Sequence, residues 1–201
     1  MMLAMTNSFK PEYADRLEKP ERLRELPPAV VVELLRLDGD ETVVDYGAGT
    51  GVYTVPLAVA LPHGRVIAVE PLTELIAMLE AKLTPALRPR VEVVQTGANR
   101  VPLPDGGADR VLMVNVLHHV ADDPSALAEV VRLLRPGGLF VDIDWGAIER
   151  PVGPGRDHVL DDDAARALIA GTGLREVAVH KPATLLPYHR VVVAEKPDTR
   201  A

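Results

Sequence analysis

The sequence predicts an open α/β sheet of seven strands, doubly wound and mostly parallel, closed by an antiparallel C-terminal hairpin strand. Three observations carry the prediction. Short apolar runs alternate five times with amphipathic helical stretches, the pattern of parallel strands joined by crossover helices. The first run, Val43-Val44-Asp45, passes straight into Tyr46-Gly47-Ala48-Gly49-Thr50-Gly51, a glycine loop at a strand-to-helix junction. The last two runs, 175–180 and 188–195, are joined by only seven residues. That link is too short for a right-handed helical crossover, so the two strands must pair antiparallel.

The elements follow in order. Residues 7–26 are rich in charge and broken by Pro11 and Pro20, and read as a flap of short helical pieces such as 21–26. Pro27-Pro28 suits a helix start, and 29–37 supplies its apolar face. Gly39-Asp40 turns the chain into strand one, 42–45. After the glycine loop, 52–61 reads as a helix, with Pro56 close enough to its first turn to be tolerated. Pro62-His63-Gly64 ends it, and strand two is 65–70. Thr73 is expected to cap a helix running to 83, with Leu75, Met78 and Leu79 at helical spacing. Strand three is 91–96. Strand four is 110–115, nearly all apolar as a strand buried on both faces is. A helix over 124–134, the turn Pro136-Gly137-Gly138 and strand five at 139–144 complete the alternation. Asp161 caps a further helix to 170, so that Asp161-Asp162-Asp163 reads as an acidic first turn and no metal is expected.

A chain of 201 residues fits one domain, burying roughly 70% of its unfolded surface. Its expected parts are an N-terminal helical flap (1–38), a ligand-binding core (39–145) and a C-terminal helix with a β-hairpin (146–201). Cysteine is absent, which excludes disulfides, thiolate metal sites and cysteine nucleophiles. A net charge of −7 argues against nucleic acid as a partner, since phosphate backbones select a clustered basic face. No apolar run approaches the ~18 residues of a membrane span, and the start lacks the basic residues of a secretory signal. A soluble cytoplasmic protein with a small-molecule partner is expected. The oligomeric state stays open, a homodimer being one option.

The glycine loop suggests which kind of small molecule. Alternating glycines let the backbone turn tightly and approach a ligand with no Cβ in between. The second apolar strand ends in Glu70, about twenty residues beyond the last glycine, where a ribose-binding acid is expected. A nucleotide-like ligand is therefore expected outside the carboxyl ends of the strands, where strand order reverses beside strand one. A nicotinamide oxidoreductase is disfavoured. Its G-x-G-x-x-G spacing needs glycine where Val52 stands, and no Tyr-x-x-x-Lys pair occurs.

Five motifs in register carry a resemblance: Val44-Asp45-Tyr46-Gly47-Ala48-Gly49-Thr50-Gly51, Val69-Glu70-Pro71, Val101-Pro102-Leu103-Pro104-Asp105-Gly106-Gly107-Ala108-Asp109, Val116-Leu117-His118-His119-Val120, and Leu134-Arg135-Pro136-Gly137-Gly138-Leu139. Together they resemble a class I S-adenosylmethionine-dependent methyltransferase with its Rossmann-like sheet, in the small-molecule group that includes the ubiquinone and menaquinone biosynthesis methyltransferases. The resemblance implies that the main chain at Gly47, Ala48, Gly49 and Gly51 approaches the methionine portion of S-adenosyl-L-methionine, whose product is S-adenosyl-L-homocysteine. It also implies that Asp45 meets the cofactor's ammonium, that Glu70 accepts both ribose hydroxyls, and that Pro71 and Leu72 flank the adenine. Ala98 would offer its amide to the adenine edge, and Asn115 its carbonyl to the methionine end. Gly97 stands where many relatives carry an aspartate toward the adenine amino group.

Methyl transfer asks mainly for alignment of nucleophile, methyl and sulfur, so no dedicated catalytic motif is required. An acceptor that must lose a proton needs a base, and His119 or His118, just beyond strand four, is best placed. Tyr46 and Tyr53 flank the glycine loop, where a ring face could meet the sulfonium. Tyr13, His118, His119, Trp145 and His158 are the expected acceptor-side residues. The arsenic-methylating and cytosine C5 methyltransferases depend on cysteine and are excluded. The Asn/Asp-Pro-Pro-aromatic run of amino-methylating DNA enzymes is replaced by Asn115-Val116-Leu117-His118. A noncatalytic cofactor-binding regulator is the remaining alternative to an enzyme.

Overall fold

The computed structural model describes residues 14–96 and 100–198. The strands are β1 (Thr42–Tyr46), β2 (Arg65–Glu70), β3 (Val91–Gln95), β4 (Ala108–Val114), β5 (Leu134–Trp145), β6 (Arg175–His180) and β7 (His189–Glu195). They form one sheet in the order β3-β2-β1-β4-β5-β7-β6. β1 to β5 pair in parallel, whereas β7 runs antiparallel to both β5 and β6. The expected sheet and its closing antiparallel pair are thus present, and β1 lies between β2 and β4 at the reversal of strand order.

Helices cover both faces: α1 (Ala14–Leu17), α2 (Pro20–Glu25), α3 (Pro28–Leu34), α4 (Thr54–Ala60), α5 (Thr73–Lys82), α6 (Leu117–Val120), α7 (Pro124–Leu133) and α8 (Asp162–Ala170). Side chains alternate along each strand, so the apolar runs feed two cores. Val44, Ile67, Met113 and Phe140 belong to a core shared with Leu127 and Val130 of α7 and Ile169 of α8. Val43, Val66, Leu112 and Val141 belong to the other, with Val31 of α3, Leu57 of α4 and Leu79 of α5.

Three local expectations are corrected. β5 begins at Leu134 rather than 139, because Leu134 pairs with Ala108 and a register shift accommodates Pro136-Gly137-Gly138. Thr73 does not cap α5. Leu72 holds the N-cap position, and the Thr73 hydroxyl accepts instead from Gln95 Nε2 at 2.9 Å. α6, a single turn after β4, was not expected, and it carries both histidines. The Asp161 cap is present, its carboxylate accepting from the Ala164 amide at 2.7 Å. No helix among the described residues is long and apolar enough to cross a membrane.

Candidate functional site

The tips of β1, β2 and β4 meet at the glycine loop. Gly47, Gly49 and Gly51 have φ values of +83°, +56° and +82°, a region that L side chains rarely adopt. Their surroundings differ. A Cβ on Gly47 would lie 2.4 Å from Val116 Cγ2, and one on Gly51 would lie 2.8 Å from Leu79 Cγ. These two glycines let the loop pack against the residue before α6 and against α5. Gly49 meets only Leu17 Cδ1 of the flap, at 3.4 Å. The Gly47 and Ala48 amides donate to the Val69 carbonyl at 2.8 and 3.0 Å, and the Gly51 amide donates to the Ala48 carbonyl at 3.0 Å. What the loop offers a ligand is therefore close main-chain approach, with these three amides already satisfied within the protein.

Glu70 ends β2 with its side chain buried. Its Oε2 accepts from the Gly49 amide at 2.9 Å and its Oε1 from the Leu72 amide at 3.0 Å. Burial pushes its pKa up, and the two amide bonds pull it back. Each carboxylate oxygen retains acceptor capacity, as a second hydrogen bond to a hydroxyl requires. Pro71 and Leu72 follow, both half-buried. Asp45 is 2% exposed, and Thr54 Oγ1 donates to its Oδ2 at 2.6 Å. Its pKa is pushed up to about 6, chiefly by burial, against the Thr54 bond and with the help of nearby Glu70. Tyr46 and Tyr53 are both buried. The Tyr53 hydroxyl donates to the Leu26 carbonyl at 3.4 Å, and burial raises the pKa of each phenol.

Asn115, one residue past β4, has φ +57°, and its amide donates to the Ile143 carbonyl at 2.7 Å. Its side-chain Oδ1 is buried without a partner among the described residues. A buried carbonyl left unmet on a left-handed backbone is what a missing ligand donor would complete.

α6 divides its two histidines. His118, whose side chain is 6% exposed, donates from Nδ1 to Asp144 Oδ1 at 2.7 Å, and its own amide donates to Asp144 Oδ2 at 2.9 Å. The Trp145 amide adds a third bond to Asp144, at 2.7 Å. Although buried, Asp144 is held below the usual carboxylate range by His118 and Arg190. His119 is exposed, its ring centroid 3.9 Å from that of His118. Partial desolvation, then the neighbouring His118, lower its pKa.

Trp145 is buried against His189, with ring centroids 4.1 Å apart. His158 is exposed on a short turn, and no hydrogen bond or ring contact joins it directly to His119 or Trp145. Tyr13, Gly97 and Ala98 lie outside the described residues. Sequence reasoning missed Asp144, Arg150, His189 and Arg190. Two aspartates in the apolar run Phe140-Val141-Asp142-Ile143-Asp144-Trp145, and one arginine in the run of β7, were the available signal.

A switch point flanked by a glycine loop, a buried acid at the tip of β2 and an unmet asparagine carbonyl at the tip of β4 define a nucleoside-binding sheet of the methyltransferase type. Residues 44–142 match the family described as "Methyltransferase domain". A crystal structure of a SAM-dependent methyltransferase from Aquifex aeolicus superposes with a TM-score of 0.85 at 27% identity, over 94% of this chain and 99% of that one. An uncharacterised methyltransferase of Mycobacterium bovis is 36% identical over 59% of this chain and 45% of its own length. A demethylmenaquinone methyltransferase of Listeria monocytogenes is 29% identical over 56% of this chain and 48% of its own. The chain thus spans less than half of these two curated relatives. It belongs to the class I S-adenosylmethionine-dependent methyltransferases, and S-adenosylmethionine is the cofactor of this family. Glu70, Asp45 and Asn115 place side-chain acceptors at the tips of β2, β1 and β4, a donor-poor set suited to a ligand that brings hydroxyls and an ammonium.

Proposed function

We propose that this chain transfers a methyl group from S-adenosylmethionine to a small organic acceptor by in-line displacement. The observation that carries the reading is Glu70. Its carboxylate ties the tip of β2 to the glycine loop of β1 and keeps lone pairs for two vicinal hydroxyls. When bound, S-adenosylmethionine would supply a methyl carbon carried on a sulfonium and would leave as S-adenosylhomocysteine. Glu70, Asp45 and Asn115 would hold and orient it, and Leu17 of the flap lies against Gly49 of the glycine loop.

Where the acceptor carries an ionisable O–H or N–H, a histidine of α6 takes the proton. The sequence favours His119, which is neutral at pH 7 and open to solvent. The Asp144 contact favours His118, because donation from Nδ1 fixes the tautomer and leaves Nε2 as the basic atom. A small acceptor, rather than nucleic acid, is supported by the acidic net charge.

The test is calorimetric titration with S-adenosylhomocysteine. Glu70→Ala should weaken binding by ~1–3 kcal/mol, the loss of charge-assisted hydrogen bonds. Unchanged affinity would overturn the cofactor pose. Transfer of label from methyl-labelled cofactor to an acceptor, reduced in His118→Ala or His119→Ala with cofactor affinity spared, separates an enzyme from a noncatalytic binder.

A further inference from the structure

The reading of an acceptor site leaves the acceptor's charge open, and the tips of β5 and β7 carry groups that this reading does not use. His189 opens β7 and faces Trp145 across the antiparallel ladder. It is 1% exposed, and among the described residues neither Nδ1 nor Nε2 has a hydrogen-bond partner. A neutral imidazole carries one N–H and one lone pair, so this ring buries an unmet donor beside an unmet acceptor.

One guanidinium stacks on this ring pair, and a second stacks on Tyr53 beside the glycine loop. Arg150 lies over Trp145, 5.1 Å from the ring centroid. It donates to the Gly146 and Ile148 carbonyls at 2.6 and 3.1 Å and to the Pro154 carbonyl, while its Nε is buried without a partner among the described residues. Carbonyls satisfy donors but bring no negative charge. Arg22 of α2 lies over Tyr53 at 5.9 Å and donates to the Leu17 carbonyl at 2.8 Å. Among the described residues neither arginine has a carboxylate within ion-pair distance, in a chain where acids outnumber bases 29 to 22. Arg190, by contrast, is paired with Asp142 and Asp144. Burial first, then Arg22 and more weakly Arg150 and Arg190, keep the His189 ring unprotonated against the opposing Asp144 carboxylate. Arg150 also lines a cavity of about 220 Å³ with Glu149 and Arg156, room for a group of a few heavy atoms.

We propose that Arg150 and Arg22, backed by Trp145 and His189, bind an oxyanion, carboxylate or phosphate, carried by the methyl acceptor. This rests on the methyltransferase reading and narrows its acceptor to small anionic molecules. Guanidinium forks suit such groups, since two parallel N–H donors match two oxygens. His189, as the buried neutral ring, contributes a hydrogen bond rather than a charge.

The test uses the full chain saturated with S-adenosylhomocysteine and three probes of matched size: benzoate, phenyl phosphate and the neutral benzamide. Calorimetry or ligand-observed NMR should find benzoate, phenyl phosphate or both bound at least tenfold more tightly than benzamide, the preferred anion identifying the source. Arg150→Gln and Arg22→Gln should each weaken that binding at least fivefold while S-adenosylhomocysteine affinity stays within twofold. If Arg150→Gln disorders its loop, Arg22→Gln alone keeps the test intact. Equal binding of benzamide, binding of none of the probes, or unchanged anion affinity in the variants would overturn the proposal. Anion binding without S-adenosylhomocysteine binding would overturn the methyltransferase reading and leave the anion site standing. The reverse pattern would do the opposite.

Discussion

Asp45 shows how one residue links binding to stability. Its folded pKa of about 6 lies above the ordinary aspartate value of 3.8, mainly through burial. The sign follows directly. The folded protein holds this proton more tightly than the unfolded chain, so the associated stability is present at low pH and is lost as pH rises from about 4 through 6. A cofactor ammonium favours the ionised carboxylate, so binding should release the proton. S-adenosylhomocysteine affinity is then expected to rise about tenfold between pH 5 and pH 7 and to level off above. Asp45→Asn should flatten that profile and weaken binding at pH 7, while stabilising the ligand-free protein there by about 1–3 kcal/mol. Calorimetry across pH, with melts of the free protein, checks both. A variant with the wild-type pH profile would remove Asp45 from cofactor binding. This residue was legible in the sequence as the acid ending the first apolar run, because position on a strand is a local property. Its hydrogen bond from Thr54 was not, since that needs the first turn of α4 folded back over β1.

At the scale of elements, the glycine loop separates two roles that the sequence presents alike. Gly51→Ala would place a Cβ against Leu79 of α5 at a φ of +82°. Left-handed strain and overpacking together should cost about 2–4 kcal/mol. Gly49→Ala carries similar strain with no contact nearer than Leu17 at 3.4 Å, and should cost about 1–2 kcal/mol of stability while obstructing the ligand side. Urea unfolding and S-adenosylhomocysteine titration of both variants should therefore rank oppositely, Gly51→Ala worse in stability and Gly49→Ala worse in affinity. The same ranking in both measurements would mean that the loop has one function, not two. Strand β2 was legible to the residue and the antiparallel pair followed from a seven-residue link, because period and connection length are encoded along the chain. The His118–Asp144 contact was not legible. It joins residues 26 apart through the register of β4 with β5, and α6 is too short to announce itself by periodicity.

Across the whole molecule, the seam between β5 and β7 is held by charges buried inside an otherwise apolar sheet. Arg190 is 1% exposed, donates to the Trp145 carbonyl at 2.8 Å, and reaches Asp142 at 3.3 Å and Asp144 at 3.8 Å. One guanidinium cannot neutralise two carboxylates. Burial, with Asp144 close by, pushes the Asp142 pKa well above the usual carboxylate range, while Asp144 is held below it by His118 and Arg190. Near neutral pH the group is therefore balanced: a protonated Asp142, an ionised Asp144 and a charged Arg190. Arg190→Met would leave an ionised Asp144 without its cation, and a destabilisation of about 3–5 kcal/mol is expected, typical of breaking a buried pair on one side. Asp142→Asn keeps the neutral form. Since the folded pKa of Asp142 is raised, the stability tied to its proton is complete in acid and is lost as pH rises through that folded value. The gap between Asp142→Asn and the wild type should consequently be smallest in acid, open as pH rises above the ordinary carboxylate range, and widen until pH passes the folded pKa of Asp142. Thermal melts of the two proteins at pH 5, 7 and 9 measure this as a widening gap in Tm. Parallel curves would mean that Asp142 ionises without cost and that Arg190 balances both carboxylates after all.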